Sequence, residues 1–245
     1  MPDVTQMTLD QKIDHFYNLF KKEGKNYTKE RIKEAIELLS YKHVDPMPKE
    51  ESDTQPTLYI FRHGQSVDNA NFIFSGWRVA PLTEGGEKGA LILAEKLKDK
   101  KIQMLISSPQ QRALKTIKLA MSKNEQAKNL EILPDERIKE RFYGDYQGQS
   151  KLEMQMENPD KLLEVRRSFD IAPPNGESIK MVCERVADFC DEILPLMKKN
   201  KVNVAVSCHG NSIRGFRKYF ENISDYETAH LETPLGKDYL AYVIK

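Results

Sequence analysis

Three cysteines in 245 residues are too few for a disulfide framework, and none stands in a Cys-x-x-Cys pair. Neither a disulfide scaffold nor a structural zinc module is therefore expected to organise the chain. Cys183 and Cys190 fall seven residues apart in a helical pattern and, with Cys208, read as reduced core thiols. Long apolar runs are missing as well, and nothing approaches the roughly 18–20 residues that a membrane helix needs. The N-terminus lacks the basic start and apolar stretch of a signal peptide, so a cytoplasmic location is expected. Charge of one sign is also lacking, since 38 basic against 37 acidic residues give a net +1. Nucleic-acid binding ordinarily leaves a basic excess across a domain, so neither nucleic acid nor membrane is an expected partner. A local anion pocket stays compatible with this balance, because net charge says nothing about clustering.

What is present suits one substantial core, with 39% hydrophobic and 31% charged residues. Residues 1–42 read as an N-terminal helical extension. Thr8 and Gln11 form a capping box ahead of Ile13, Phe16, Tyr17 and Phe20 at helical spacing. Gly24 and Asn26 break the pattern, and Thr28 caps a second helix carrying Ile32, Ala35, Ile36 and Leu39. Such a hairpin cannot bury both apolar stripes alone, so it must pack on its own chain or on another. Residues 43–56, with Pro46, Pro48 and Pro56 among polar residues, read as a linker. Residues 57–245 then alternate strands with helices. Strands are expected at 58–62, 102–107, 130–133, 202–207 and 239–244, and helices at 83–98, 110–121, 177–199 and 212–220. This alternation predicts an α/β three-layer sandwich around a mostly parallel central sheet.

Ligands of such sheets bind where the strands end. The run at 58–62 leads into Arg62-His63-Gly64-Gln65-Ser66, and the run at 202–207 into Cys208-His209-Gly210-Asn211-Ser212. The run at 102–107 leads into Ser108-Pro109-Gln110-Gln111-Arg112, which puts Arg112 on the first turn of a helix. Each feature alone has a bland explanation, since a lone histidine is usually structural and a glycine after a strand usually a turn. If the strands are neighbours, however, two imidazoles and two guanidiniums meet in one crevice. Arginine forks bind phosphate oxygens, and an imidazole can attack phosphorus. The arginines also favour the neutral ring, the form with a nucleophilic lone pair. No ligand set at metal-binding spacing appears, so no metal is expected. His15, His43 and His230 lack this context and read as structural or surface residues.

The ordered motifs carry a resemblance. Arg62-His63-Gly64 with Ser66 and Asn69 resembles the signature of the histidine phosphatase superfamily. Phe74-Ser75-Gly76-Trp77, Glu140-Arg141-Phe142-Tyr143-Gly144, Gln147-Gly148, Lys151, Arg166-Arg167-Ser168-Phe169-Asp170 and His209-Gly210-Asn211-Ser212-Ile213-Arg214-Gly215 resemble its 2,3-bisphosphoglycerate-dependent phosphoglycerate mutase branch. The resemblance runs in order from about residue 57 to the C-terminus. It implies a phosphoglycerate mutase-like fold and a phosphohistidine on His63. Arg62, Arg112 and His209 would hold the transferring phosphoryl group, and Glu140 would act as general acid and base. Asn69, Ser75, Gly76, Tyr143, Lys151, Arg166, Arg167, Gly210 and Asn211 would bind the substrate, a small phosphorylated carboxylic acid. The implied reaction interconverts 3- and 2-phosphoglycerate, primed by 2,3-bisphosphoglycerate, in an enzyme that often forms homo-oligomers. Gln65 and Asp68 stand where mutases commonly carry Glu and Trp, and the last strand is followed by no segment like the mobile tail common in mutases. The alternative is therefore a histidine phosphatase that hydrolyses small phosphorylated metabolites.

Overall fold

The computed structural model describes residues 4–40 and 44–245; His43 lies outside the described residues. Five strands, β1 Thr57–Arg62, β2 Met104–Ser107, β3 Ile132–Pro134, β4 Val204–Cys208 and β5 Leu240–Val243, form one sheet in the order β3-β2-β4-β1-β5. All neighbours pair in parallel except β1 and β5, which are antiparallel. The alternation along β1 separates two cores. Leu58 and Ile60 join Val204 and Val206 against α8 (Ile179–Asn200) and α9 (Gly210–Glu221), with Val182, Val186, Phe189 and Phe216. Tyr59 and Phe61 face the other way, into Leu93, Leu97 and Ile117 of α4 (Glu84–Leu97) and α5 (Gln111–Met121). Both sheet faces are thus covered, as parallel strands apolar on both sides require.

The register sets the site. Arg62 pairs with Cys208 across β1 and β4, so His63 and His209 leave the sheet side by side. Ser107 of β2 pairs with Ser207 on the other flank of β4, which brings Ser108 and the start of α5 to the same edge. Gly64 lies against the start of α4; a Cβ there would stand 2.4 Å from the Gly86 carbonyl oxygen, so only glycine admits this approach.

Helices α1 (Leu9–Lys22) and α2 (Lys29–Leu39) carry the predicted caps at Thr8 and Thr28. They dock on their own chain: Ile13, Phe16, Phe20, Ile32, Ile36 and Leu39 form a third core with Phe74, Leu152, Met156, Leu162 and Val165. Their platform is α6 (Lys151–Glu157) and α7 (Pro159–Arg167), short helices that the sequence pattern did not anticipate. Helices α3 (Val67–Ala70) and α10 (Asp225–His230) were not anticipated either. The segment expected as a linker is tied down along β5, where Ala241 N donates to Pro48 O at 2.8 Å and Glu50 N to Ala241 O at 2.9 Å. It thereby shields part of an otherwise open sheet edge. Among the described residues, no helix is long and apolar enough to cross a membrane.

Candidate active site

The two histidines meet at the carboxyl edge with ring centroids 4.9 Å apart, both almost wholly buried. His63 Nδ1 lies 2.6 Å from Gly64 O, an acceptor only, so Nδ1 carries the proton and Nε2 the lone pair. That lone pair faces Arg112, whose Nε lies 3.3 Å away. Burial above all, then the Arg112 and Arg62 charges, pushes the His63 pKa well below its usual value. Desolvation thus outweighs the arginine charges from which the sequence predicts a neutral ring. His209 is depressed in the same way, by burial first and then by Arg112. Its Nε2 lies 2.9 Å from Ser108 Oγ, and its buried Nδ1 has no partner among the described residues.

Arg112 is fully buried and fixed by two carbonyls, with Nη2 2.7 Å from Gly76 O and Nη1 3.2 Å from Arg78 O. Gly76 sits at φ +48°, a left-handed conformation that suits glycine and turns its carbonyl toward Arg112 and Gln110. Arg62 donates through Nη1 to Thr233 O at 3.0 Å, while its buried Nε has no partner among the described residues. Gly210 lies close under that guanidinium: a Cβ there would stand 3.2 Å from Arg62 Cζ. Unmet donors on Arg62 and His209, beside a third polar atom without a partner, Thr233 Oγ1, describe a site suited to an absent hydrogen-bonding anion.

Glu140 is buried, and its Oε1 accepts from Arg141 N at 2.8 Å, Asn211 Nδ2 at 2.9 Å and Asn211 N at 3.3 Å. Burial would raise its pKa, but the Asn211 amide, Arg112, Arg62 and Arg141 N–H outweigh it and hold the carboxyl below its usual value. A phosphate that offset the arginine charges would raise this pKa. Asn211 also donates to Tyr143 OH at 3.3 Å. His63, Glu140 and His209 offer ligand atoms within 4.8 Å of one another, the spacing of a metal triad. Two guanidiniums beside them oppose a dication and favour an oxyanion.

A cavity of about 660 Å³ meets this cluster at Arg62 and is also lined by Asn69, Lys151 and Arg166. Lys151, at the start of α6, donates to Ile73 O at 2.8 Å, and its pKa is pushed down to about 7 by burial and by the Arg166 and Arg62 charges. Two residues expected at the substrate are engaged elsewhere. Ser75 Oγ donates to Asp68 Oδ2 at 2.9 Å. Arg167 is bound to Glu232 and to Ala229 O, and does not line the cavity. Four supporting residues escaped the sequence reading of the site. Ser108 bonds His209, Gln110 links Gly76 O to Glu140 N, and Trp77 Nε1 and Arg185 Nη2 both donate to Glu140 O, at 2.7 and 3.1 Å. Ser108 and Gln110 follow β2 directly and Trp77 ends the Phe74-Ser75-Gly76-Trp77 motif, so these three carried a signal; Arg185, on α8, carried none.

Residues 58–237 match the histidine phosphatase superfamily (branch 1). A 2,3-bisphosphoglycerate-dependent phosphoglycerate mutase of Cytophaga hutchinsonii is 34% identical over 182 residues, covering 74% of this chain and 84% of its own length. One of the same name from Erythrobacter litoralis is 36% identical over 210 residues, covering 74% and 90%. Among solved structures, a mycobacterial glucosyl-3-phosphoglycerate phosphatase bound to VO3 superposes with a TM-score of 0.67 at 23% identity, over 76% of this chain and 92% of that one. At that identity the likeness speaks for the fold alone. The chain belongs to branch 1 of the histidine phosphatase superfamily, alongside the 2,3-bisphosphoglycerate-dependent phosphoglycerate mutases.

Proposed function

We propose that this chain is a phosphoglycerate mutase interconverting 3- and 2-phosphoglycerate through a phosphohistidine on His63. Residues 57–245 are its catalytic unit, 1–42 an N-terminal extension and 43–56 the connection. The observation that carries the reading is a second cationic group, Lys151 and Arg166, in a cavity that shares Arg62 with the histidine cluster. A simple phosphate monoester needs only the first set; a small acid with a carboxylate or second phosphate needs both.

Bound 2,3-bisphosphoglycerate supplies the phosphoryl group that primes the enzyme. His63 Nε2 attacks phosphorus in line with the leaving oxygen, while Arg62, Arg112 and the free Nδ1 of His209 hold the equatorial oxygens. Glu140 protonates the leaving oxygen, then takes the proton back from the hydroxyl that accepts the phosphoryl group. Asn69, Tyr143, Gly210 and Asn211 shape the phosphoryl end of the site, and Lys151 and Arg166 the carboxylate end. Ser75 reaches the ligand by leaving Asp68, and Arg167 acts by fixing Glu232. The arrangement requires no metal, and a cytoplasmic enzyme, possible as a homo-oligomer, fits this role.

Phosphorus NMR of the purified protein with 3-phosphoglycerate, with and without traces of 2,3-bisphosphoglycerate, tests the proposal. Bisphosphate-dependent appearance of 2-phosphoglycerate with little free phosphate is expected. Free phosphate without isomerisation would instead identify a phosphatase.

A further inference from the structure

The cavity beside the histidine cluster has a wall that the superfamily match does not include. Residues 58–237 supply Arg62, Lys151 and Arg166, but the N-terminal hairpin supplies Gln6, Lys12, Leu39 and Ser40. We propose that Lys12 of α1 is a substrate-binding residue that recognises the non-reacting anionic end of the ligand. This rests on the phosphoglycerate reading above and extends the site to an element outside the superfamily match.

Three observations support it. First, Lys12 is held in place rather than waving from a tail. The next residue, Ile13, and then Phe16 and Phe20 are buried in the core shared with α6 and α7, the helices that carry Lys151 and Arg166. The Lys25–Glu153 ion pair and the hydrogen bond of Tyr27 to Glu153 tie the hairpin to α6 as well. Second, the Lys12 side chain has neither a hydrogen bond nor an ion pair among the described residues, whereas the Lys25 and Lys29 ammonium groups of the same hairpin are paired with carboxylates. Third, the cavity is unbalanced. Lys12, Arg62, Lys151, Arg166 and Lys237 face it against one carboxylate, Glu232, which Arg167 already engages. Such an excess suits a ligand with two separated negative groups; Arg166 and Arg62 add, after burial, to the lowering of the Lys151 pKa.

The test compares two ligands by calorimetry on the full chain at about 0.15 M salt, where screening beyond about 8 Å suppresses remote charge effects. Lys12→Gln is expected to weaken 3-phosphoglycerate by about five- to tenfold, as for one charge-assisted contact, and to leave inorganic phosphate within about twofold. Lys12→Arg restores the affinity. An equal loss for both ligands, no loss for either, or a wild-type protein that binds the two equally would overturn the assignment. Failure of the mutase reading shows elsewhere, as absence of 2-phosphoglycerate by NMR, and leaves the difference between the ligands intact.

Discussion

Glutamine at position 140 separates proton transfer from everything else Glu140 does. Oε1 accepts from Arg141 N, Asn211 Nδ2 and Asn211 N at 2.8, 2.9 and 3.3 Å, and an amide oxygen can accept all three. Glu140→Gln should therefore fold with a stability change of about 1 kcal/mol, the difference between charged and neutral acceptors. What it loses is the proton. General acid catalysis contributes about 10²–10⁴-fold, or roughly 2.7–5.5 kcal/mol at 1.36 kcal/mol per tenfold. An alkyl leaving group such as the phosphoglycerate oxygen needs that proton, whereas nitrophenolate departs without it. Turnover of 3-phosphoglycerate should fall by about 10²–10⁴-fold, and the burst of nitrophenolate that accompanies phosphorylation of His63 by p-nitrophenyl phosphate should slow by less than about tenfold. Inorganic phosphate should bind more tightly, because a carboxylate that attracts Arg112 and Arg62 is gone. Pre-steady-state kinetics of the burst, beside turnover of 3-phosphoglycerate, decides the matter: an equal fall in the two would mean that Glu140 shapes the pocket and does not deliver a proton.

The sheet and its site were legible because they obey local rules. Apolar runs ending in His-Gly marked β1 and β4, and parallel pairing then forced His63 next to His209. The capping box at Thr8, the cap at Thr28 and helical spacing likewise marked α1 and α2. The helices that escaped are short, and α6 and α7 pack under the hairpin, where tertiary contacts decide the structure. Even so, Asn158-Pro159 is an N-cap followed by proline at the first helical position, a start signal for α7 that could have been read. The protonation state of Glu140 was not legible. Sequence analogy gives the residue a role, but the balance between burial and the donors of Asn211 exists only in three dimensions. The same holds for Lys12, whose spacing on α1 says nothing about a cavity bounded by α6 and α7.

Further consequences follow from the packing and the shifted groups. Phe16 is buried against Phe20 and Phe72, so Phe16→Ala should cost about 3–4 kcal/mol. The loss should appear first as faster hydrogen exchange across α1 and α2, with β1 and β4 still protected; uniform acceleration would contradict a separately opening hairpin. His63 and His209 have folded pKa values below the unfolded value of about 6.5, so the unfolded chain binds more protons as pH falls below that point. The contribution of the two histidines should be level above about pH 7.5 and fall below about 6.5, by up to about 1.4 kcal/mol per unit each, on top of the rise with pH that Lys151, lowered from 10.5 to about 7 in the folded chain, adds above about pH 7. Thermal unfolding from pH 8 to 5 reads this, and His209→Asn should shrink the slope; an unchanged slope would mean that the imidazole does not titrate. Lys151, with its pKa near 7, is mostly neutral at pH 8 in the empty site. An anion placed between it, Arg166 and Arg62 relieves the repulsion and raises that pKa, so binding should draw in a proton. Calorimetry of 3-phosphoglycerate at pH 8, in buffers of different ionisation heat, should show an uptake of about 0.5–1 proton. Glu140 can also gain a proton as phosphate offsets the arginines, and Lys151→Met separates the two contributions. The variant should lose most of the uptake; if it keeps all of it, Lys151 is already charged before the ligand arrives, and the proton goes to Glu140 instead.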